Sequence, residues 1–358
     1  MTKITRREAM LMSLEAAACG LVGKRAAAWA AEKPSFKSIG GQFNYLVGIQ
    51  EPFSMLQNPT IAQIVVQQFN LLTASGMKWD AIHPTPEKYD FREADWNVQF
   101  AQEHGMKIHG HNLCWDNPEG NPPWFKTALN KSNARQILTS HITTVMKRYK
   151  GKIESWDVVN EPIVPWPGRS DGLYPGVWVD LLGPEYLDIA FYTAKDADPN
   201  ALRVMNVHHV EQGTPDAELN RQRVISWLER LVHRGTPVQA VGMESHLDTS
   251  QPLAGEQTRQ FVEKIRGLGL QVLITELDVK ETRATGNSHD WDVHVADYYR
   301  EYLGNVLSAV QPHAVIFWSL IDRWEGNRKV QGLLQNNLSP RLSLTAAEQA
   351  LESAPRRG

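Results

Sequence analysis

The chain predicts one (β/α)8 TIM barrel of the α/β class, on three observations. Eight short apolar runs alternate with eight stretches of helical periodicity, the count of a closed parallel barrel. A length of 358 residues suits one such barrel, and 42% hydrophobic content can fill its core. The runs often end in groups capable of chemistry: His111, Asn160 with Glu161, Asn206, Glu244, His246, Glu276 and Trp318. In a parallel barrel those ends share one face, where active sites form.

In chain order the apolar runs are 46–49, 69–73, 107–113, 155–159, 202–206, 240–243, 272–274 and 314–318. The helical segments are 60–67, 93–104, 134–149, 184–196, 217–234, 255–268, 290–310 and 345–351. The barrel is expected over 42–352, after a polar linker at 31–41 and before a short tail at 353–358. A doubly wound open sheet is the alternative, but no Gly-rich phosphate loop follows the first run.

Residues 1–30 read as an export signal. Arg6-Arg7 precedes a modestly apolar run, then Lys24-Arg25, and Ala28-Trp29-Ala30 fits a small-residue cleavage site. The paired arginines suggest the twin-arginine route, and so a periplasmic or secreted protein. Glu15 inside the run fits poorly, and an ordinary N-terminal helix is the plainer reading. Cys19 could instead accept a lipid, although no Leu or Val stands three residues before it. The formal charge is −3; removing five cations and two anions with the signal leaves the remainder near −6, which excludes a nucleic-acid footprint. Cys114 would then be the one cysteine left, so no intrachain disulfide forms. No downstream apolar stretch is long enough to span a bilayer. A monomer is expected.

The chain is organised around Trp156-Asp157-Val158-Val159-Asn160-Glu161-Pro162, an apolar strand stopped at a carboxylate by a proline that cannot donate to a ladder. Gln271-Val272-Leu273-Ile274-Thr275-Glu276-Leu277-Asp278 has the same form, 115 residues later by glutamate position. A charged group ending an apolar strand is costly unless it faces a cleft or finds a partner. An ion pair would explain either glutamate alone. Two together suit glycoside cleavage, in which one carboxyl protonates the leaving oxygen and the other attacks or activates water.

With these motifs, Gly110-His111-Asn112-Leu113-Cys114-Trp115, Met77-Lys78-Trp79-Asp80, Val241-Gly242-Met243-Glu244-Ser245-His246-Leu247 and Phe317-Trp318 with Asp322 and Trp324 complete an ordered set over about residues 45–325. The set resembles glycoside hydrolase family 10, the retaining endo-β-1,4-xylanases. The resemblance implies Glu161 as general acid/base, Glu276 as nucleophile, and Asn160 bonding the 2-hydroxyl of the sugar under attack. His246 would orient Glu276, with Asp278 behind it. Lys78, His111 and Trp115 would contact the glycone, and Trp318 and Trp324 would form aromatic walls; core packing is the plain alternative for any single Trp. Glu244 joins the substrate-binding set. The substrate would be a polysaccharide or oligosaccharide, with no cofactor and no metal.

The chain departs from the family pattern in places. Thr73-Ala74-Ser75-Gly76 lacks the Glu and Asn of the usual Pro-Glu-Asn segment before Met77-Lys78 and is one residue shorter. Asp116 and Pro118 replace the usual histidine and glutamine. Each lost polar contact weakens the second glycone subsite by ~1 kcal/mol or more. Glu244 stands where the family has glutamine; if ionised it would raise its neighbours' pKa. Asn206-Val207-His208 replaces Asn-Asp-Tyr, and the loop between Asp322 and Trp324 is about two residues short.

Three other readings remain open. One is a related β-glycosidase, exo-acting or specific for short or decorated β-glycans. Another is a non-catalytic carbohydrate-binding barrel, which would need no acid/nucleophile pair. The third is a zinc hydrolase using His109 and His111 with His208, His209 and Asp278.

Overall fold

The computed structural model describes residues 34–118, 120–166, 168–282, 288–325 and 328–355, and at 288, 324, 325 and 328–330 the backbone alone. The export-signal residues, and the last three of the expected tail, lie outside the described residues.

Eight parallel strands close a barrel: β1 (Leu46–Gln50), β2 (Leu71–Ala74), β3 (Lys107–Gly110), β4 (Ser155–Asn160), β5 (Leu202–Val207), β6 (Ala240–Met243), β8 (Gln271–Glu281) and β9 (Ala314–Phe317). Each pairs with the next in this order, and β9 closes the ring on β1. The outer ring is α2 (Pro59–Gln68), α3 (Arg92–Glu103), α4 (Ala134–Arg148), α5 (Tyr186–Ala197), α6 (Pro215–His233), α7 (Gly255–Gly267), α8 (Ser288–Ala309) and α9 (Leu342–Glu352).

Strand side chains alternate between two environments. Leu71, Leu202, Val204, Ala240, Leu273, Ala314 and Ile316 form one buried cluster of residues drawn from five strands, with Leu46 against it. Their chain neighbours, such as Val47, Leu72, Val241, Val272 and Val315, belong to the larger apolar cluster shared with the helices. Within β4, Ser155 and Asp157 are the polar alternates of Trp156 and Val158, all fully or nearly fully buried. Trp156 lies so close to Gly110 of β3 that a Cβ there would meet its ring at 2.2 Å.

The elements differ from the sequence expectation in four places. Residues 36–41, expected as linker, open a helix, α1 (Phe36–Phe43). It is capped by Ser35, and Phe36 stacks on Phe69 at 5.4 Å and meets Phe317 at 5.1 Å. The run 107–113 leaves the sheet after Gly110. Strand β8 continues seven residues beyond 274, because its outer half pairs with two strands too short to show in the sequence, β7 (His246–Asp248) and β11 (Arg328–Gln331). Strand β10 (Arg323–Glu325) pairs antiparallel with β11. No helix among the described residues is long and apolar enough to cross a membrane.

Candidate active site

Both strand-end glutamates emerge where the ladder is irregular. The β4–β5 register shifts between Asp157 and Val159, just before Asn160 and Glu161. The β8–β9 register shifts between Ile274 and Leu277, across Glu276. Such irregularities re-aim side chains at the rim of a barrel. Glu161 also has φ 47°, a left-handed conformation that a non-glycine residue adopts at a cost. Its N–H is fixed by Asn206 O at 2.9 Å.

A chain of amides joins the two carboxyls. Asn160 Nδ2 donates to Glu161 Oε1 at 3.3 Å, and Asn160 Oδ1 accepts from Asn206 Nδ2 at 2.8 Å. Asn206 Nδ2 also donates to Glu276 Oε1 at 2.8 Å and to Glu244 Oε1 at 3.3 Å, while its Oδ1 accepts from Thr275 at 2.6 Å. The Glu244 carboxyl has an oxygen within 4.8 Å of a Glu161 oxygen and one within 4.8 Å of a Glu276 oxygen, so the two flank it.

Around Glu276 the neighbours are cationic or donating. His246 Nε2 stands 3.2 Å from Glu276 Oε2, and its Nδ1 stands 2.8 Å from Asp278 Oδ1. Asp278 Oδ2 accepts from Arg323 at 2.5 Å. Burial acts against the charge of His246, but Asp278 and Glu276 outweigh it and raise the imidazole pKa well above its usual value. Burial likewise pushes Glu276 up, yet His111 at 3.7 Å and the bond and charge of His246 hold it below the ordinary 4.5. His111 Nδ1 lies 2.8 Å from Asp157 Oδ2, which His109 shares at 2.9 Å. The two imidazoles overcome burial and hold Asp157 down at about 2.

Around Glu161 the balance reverses. Burial, then the negative charge of Glu276, push it up to about 7. His208 Nδ1 lies 3.3 Å from its Oε2, and burial keeps that imidazole pKa well below 6.5. The Lys78 ammonium sits 4.7 Å over the Trp115 ring, whose backbone bridges to Asn160. Glu244, expected to raise its neighbours, is itself the group most displaced: burial, then Glu276 and Glu161, raise its pKa well above 4.5. It is neutral where Glu276 is ionised.

Trp318 meets His111 edge-on at 5.4 Å and His246 at 6.2 Å, so it borders the Glu276 side. The side chain of Trp324 lies outside the described residues, although its backbone is in β10. All other expected site residues gather at this one mouth. Asp116 supports the fold rather than the sugar. It is buried, and its carboxylate accepts the Trp178 N–H at 3.1 Å at the start of the short helix Val177–Leu182. Burial lifts it to about 7. The zinc set of His109, His111, His208, His209 and Asp278 is not assembled. Both nitrogens of His109 are engaged, by Ser155 and Asp157, and Asp278 is held between His246 and Arg323.

Asn206, Asp157, His208 and Arg323 contribute to the site although the family motifs assign them no role there. Asn206 and His208 have one signal, their place at the end of the fifth run. Two cavities lie apart from this mouth. One of about 530 Å³ runs between α6 and α7 and is lined by residues such as Arg221, Gln257 and Lys264. The other, of about 310 Å³, is bordered by Asp116, Pro122, Phe125, Lys126 and Tyr174.

Comparisons with known proteins agree with this geometry. The profile of glycosyl hydrolase family 10 matches residues 36–349. Endo-1,4-beta-xylanase B of Thermotoga neapolitana is 31% identical over 73% of this chain and 73% of its own. Endo-1,4-beta-xylanase B of Paenibacillus barcinonensis is 31% identical over 81% of this chain and 88% of its own. Xylanase 10B of Thermotoga maritima superposes with a TM-score of 0.80 at 29% identity, covering 89% of this chain and 98% of that one. Xylanase 10B of Thermotoga petrophila, solved with xylobiose, gives 0.79 at 27% identity over 90% and 98%. The chain belongs to glycosyl hydrolase family 10 and is a glycoside hydrolase.

Proposed function

We propose that the chain is an endo-1,4-β-xylanase acting by double displacement. The observation that carries this reading is the opposite bias of two linked carboxyls, Glu276 held ionised and Glu161 held protonated up to about pH 7. Glu276 attacks the anomeric carbon while Glu161 gives its proton to the departing glycosidic oxygen, which leaves a glycosyl-enzyme. Glu161, now anionic, takes a proton from water as that water attacks, and the free sugar leaves with its configuration retained. Asn160 keeps an N–H for the sugar hydroxyl beside the anomeric carbon. His246, braced by Asp278, holds Glu276 in attacking orientation.

The relatives named above are xylanases, which supports xylan as the substrate. A narrower reading concerns the glycone side, where Asp116 is committed to the Trp178 N–H and offers the sugar less than a free polar side chain. This favours decorated or short substrates over plain linear xylan. One experiment tests both. Purified enzyme is incubated with defined linear and decorated xylo-oligosaccharides and with gluco-oligosaccharides, and the products are sized. We expect internal cleavage of the xylo-series, faster on decorated chains, and loss of cleavage in Glu276→Ala. Wild-type rates in that variant, or cleavage confined to the gluco-series, would sink the assignment. Equal rates on plain xylan would remove the narrower reading alone.

The export proposal rests on the Arg6-Arg7 segment, and cell fractionation of the full chain against its Arg6→Lys/Arg7→Lys form tests it. We propose a monomer in solution, which size-exclusion chromatography with light scattering tests.

A further inference from the structure

We infer that Glu161, His208 and Glu244 form a binding site for one divalent transition-metal ion, and that filling it shuts the enzyme off. One donor atom from each lies within 4.8 Å of the other two, and the His208–Glu161 edge is already 3.3 Å. Ligand atoms about 2.0–2.1 Å from a tetrahedral metal stand roughly 3.3 Å apart, so that edge has coordination spacing and the others need small carboxylate rotations. One imidazole and two carboxylates, with a position left for water, is a donor set that suits Zn²⁺ or Cu²⁺ better than Ca²⁺ or Mg²⁺.

Two other groups of three in the same mouth are weaker. In the set with Glu244 and Glu276, both nitrogens of His246 are already taken, by Glu276 and Asp278. In the set with Asp157 and Glu276, His111 Nδ1 is bound to Asp157. His208 differs: its Nε2 is buried without a partner, its Nδ1 faces Glu161, and one of its ring nitrogens lies within 4.8 Å of Glu244. His208 and Glu244 are also two positions where this chain departs from the Tyr and Gln of the family pattern. The donors other than Glu161 are therefore this chain's own. A metal bound there displaces to water the protons that Glu161 and Glu244 otherwise hold, keeps Glu161 as a bound carboxylate and leaves it unable to protonate the leaving oxygen. That consequence rests on the acid/base reading of Glu161, whereas binding itself does not.

The test uses ZnSO4 as inhibitor and Co²⁺ as a spectroscopic probe at one fixed pH near 6.5. Zn²⁺ is expected to inhibit hydrolysis of an aryl xylobioside reversibly, with EDTA restoring the rate, while Ca²⁺ and Mg²⁺ at about 1 mM do not. Glu244→Gln and His208→Tyr, each compared with its own metal-free rate, are expected to raise the half-inhibiting Zn²⁺ concentration about tenfold or more. Co²⁺ should give visible absorption bands in the wild type that both variants weaken, a readout independent of turnover. No inhibition at about 1 mM Zn²⁺ with no Co²⁺ bands would overturn the site, as would equal inhibition of wild type and both variants. Co²⁺ bands without inhibition would keep the site and refute the shut-off.

Discussion

Glu161 and Glu276 stand at one barrel mouth, share a hydrogen-bond chain, and are driven in opposite directions. Glu276 is the more deeply buried, which alone would favour its neutral form, yet it is the ionised one. His246 and His111 face it; Asp278 and Glu276 itself keep His246 charged, and His246 and then Arg323 hold Asp278 ionised. Glu161 is 15% exposed, and its contacts supply less positive charge: His208, whose pKa burial lowers, and Lys78, drawn over the face of Trp115. The neighbours, more than the depth of burial, decide which carboxyl keeps its proton and which is ionised. Each half can be broken separately.

The largest effect follows from removing the proposed acid while leaving the proposed nucleophile. In Glu161→Ala, hydrolysis of a substrate whose leaving group needs a proton should fall by about 10²–10⁴. A dinitrophenyl glycoside, whose leaving group needs none, should still form the glycosyl-enzyme quickly. Azide should then speed turnover and yield the β-glycosyl azide, because it attacks without base help. Equal losses on both substrates, with no azide product, would show that Glu161 is not the proton donor.

Breaking the other half has a smaller, pH-dependent effect. His246→Asn takes the donor and charge from Glu276 Oε2, and burial then dominates. The carboxyl pKa rises, so the acid limb of kcat/KM, placed below pH 4.5 in the wild type, should move up by about one unit or more. A limb that ends near pH 5.5 lowers the rate at pH 5 by about three- to fourfold. An unmoved acid limb would mean that His111 alone holds Glu276 down.

This comparison also shows what the sequence carries. The barrel is legible because each strand is a contiguous apolar run and each helix repeats every three to four residues, which are local signals. Glu161 and Glu276 are legible for the same reason, each a charge at the end of such a run. Residues that act across strands are not. Asn206 bonds Asn160, Glu244 and Glu276, which lie 46, 38 and 70 positions away, and one asparagine at a run's end announces none of this. Arg323 reaches Asp278 from a three-residue strand, too short for any periodicity. The helix at 36–43 is hidden for a different reason. Its apolar residues Phe36, Ile39 and Phe43 do follow helical spacing, but two adjacent glycines and a polar lead-in read as linker.

Glu244 lies between the two halves and gives the smallest and most exacting test. Its folded pKa is raised above the unfolded value, so below about pH 4.5 both states hold the proton and stability is unaffected. As pH rises past 4.5 the unfolded chain releases that proton while the folded one keeps it, and wild-type stability falls. Glu244→Gln lacks this loss, so its unfolding free energy in urea should pull ahead of the wild type by about 1 kcal/mol per pH unit above about pH 5, until Glu244 itself ionises. Its basic limb should stay near pH 7, because the charge of Glu161 raises Glu244 whereas burial and Glu276, not Glu244, raise Glu161. A basic limb displaced by more than about half a unit would mean that the two carboxyls share one proton, and the limb would then belong to the pair.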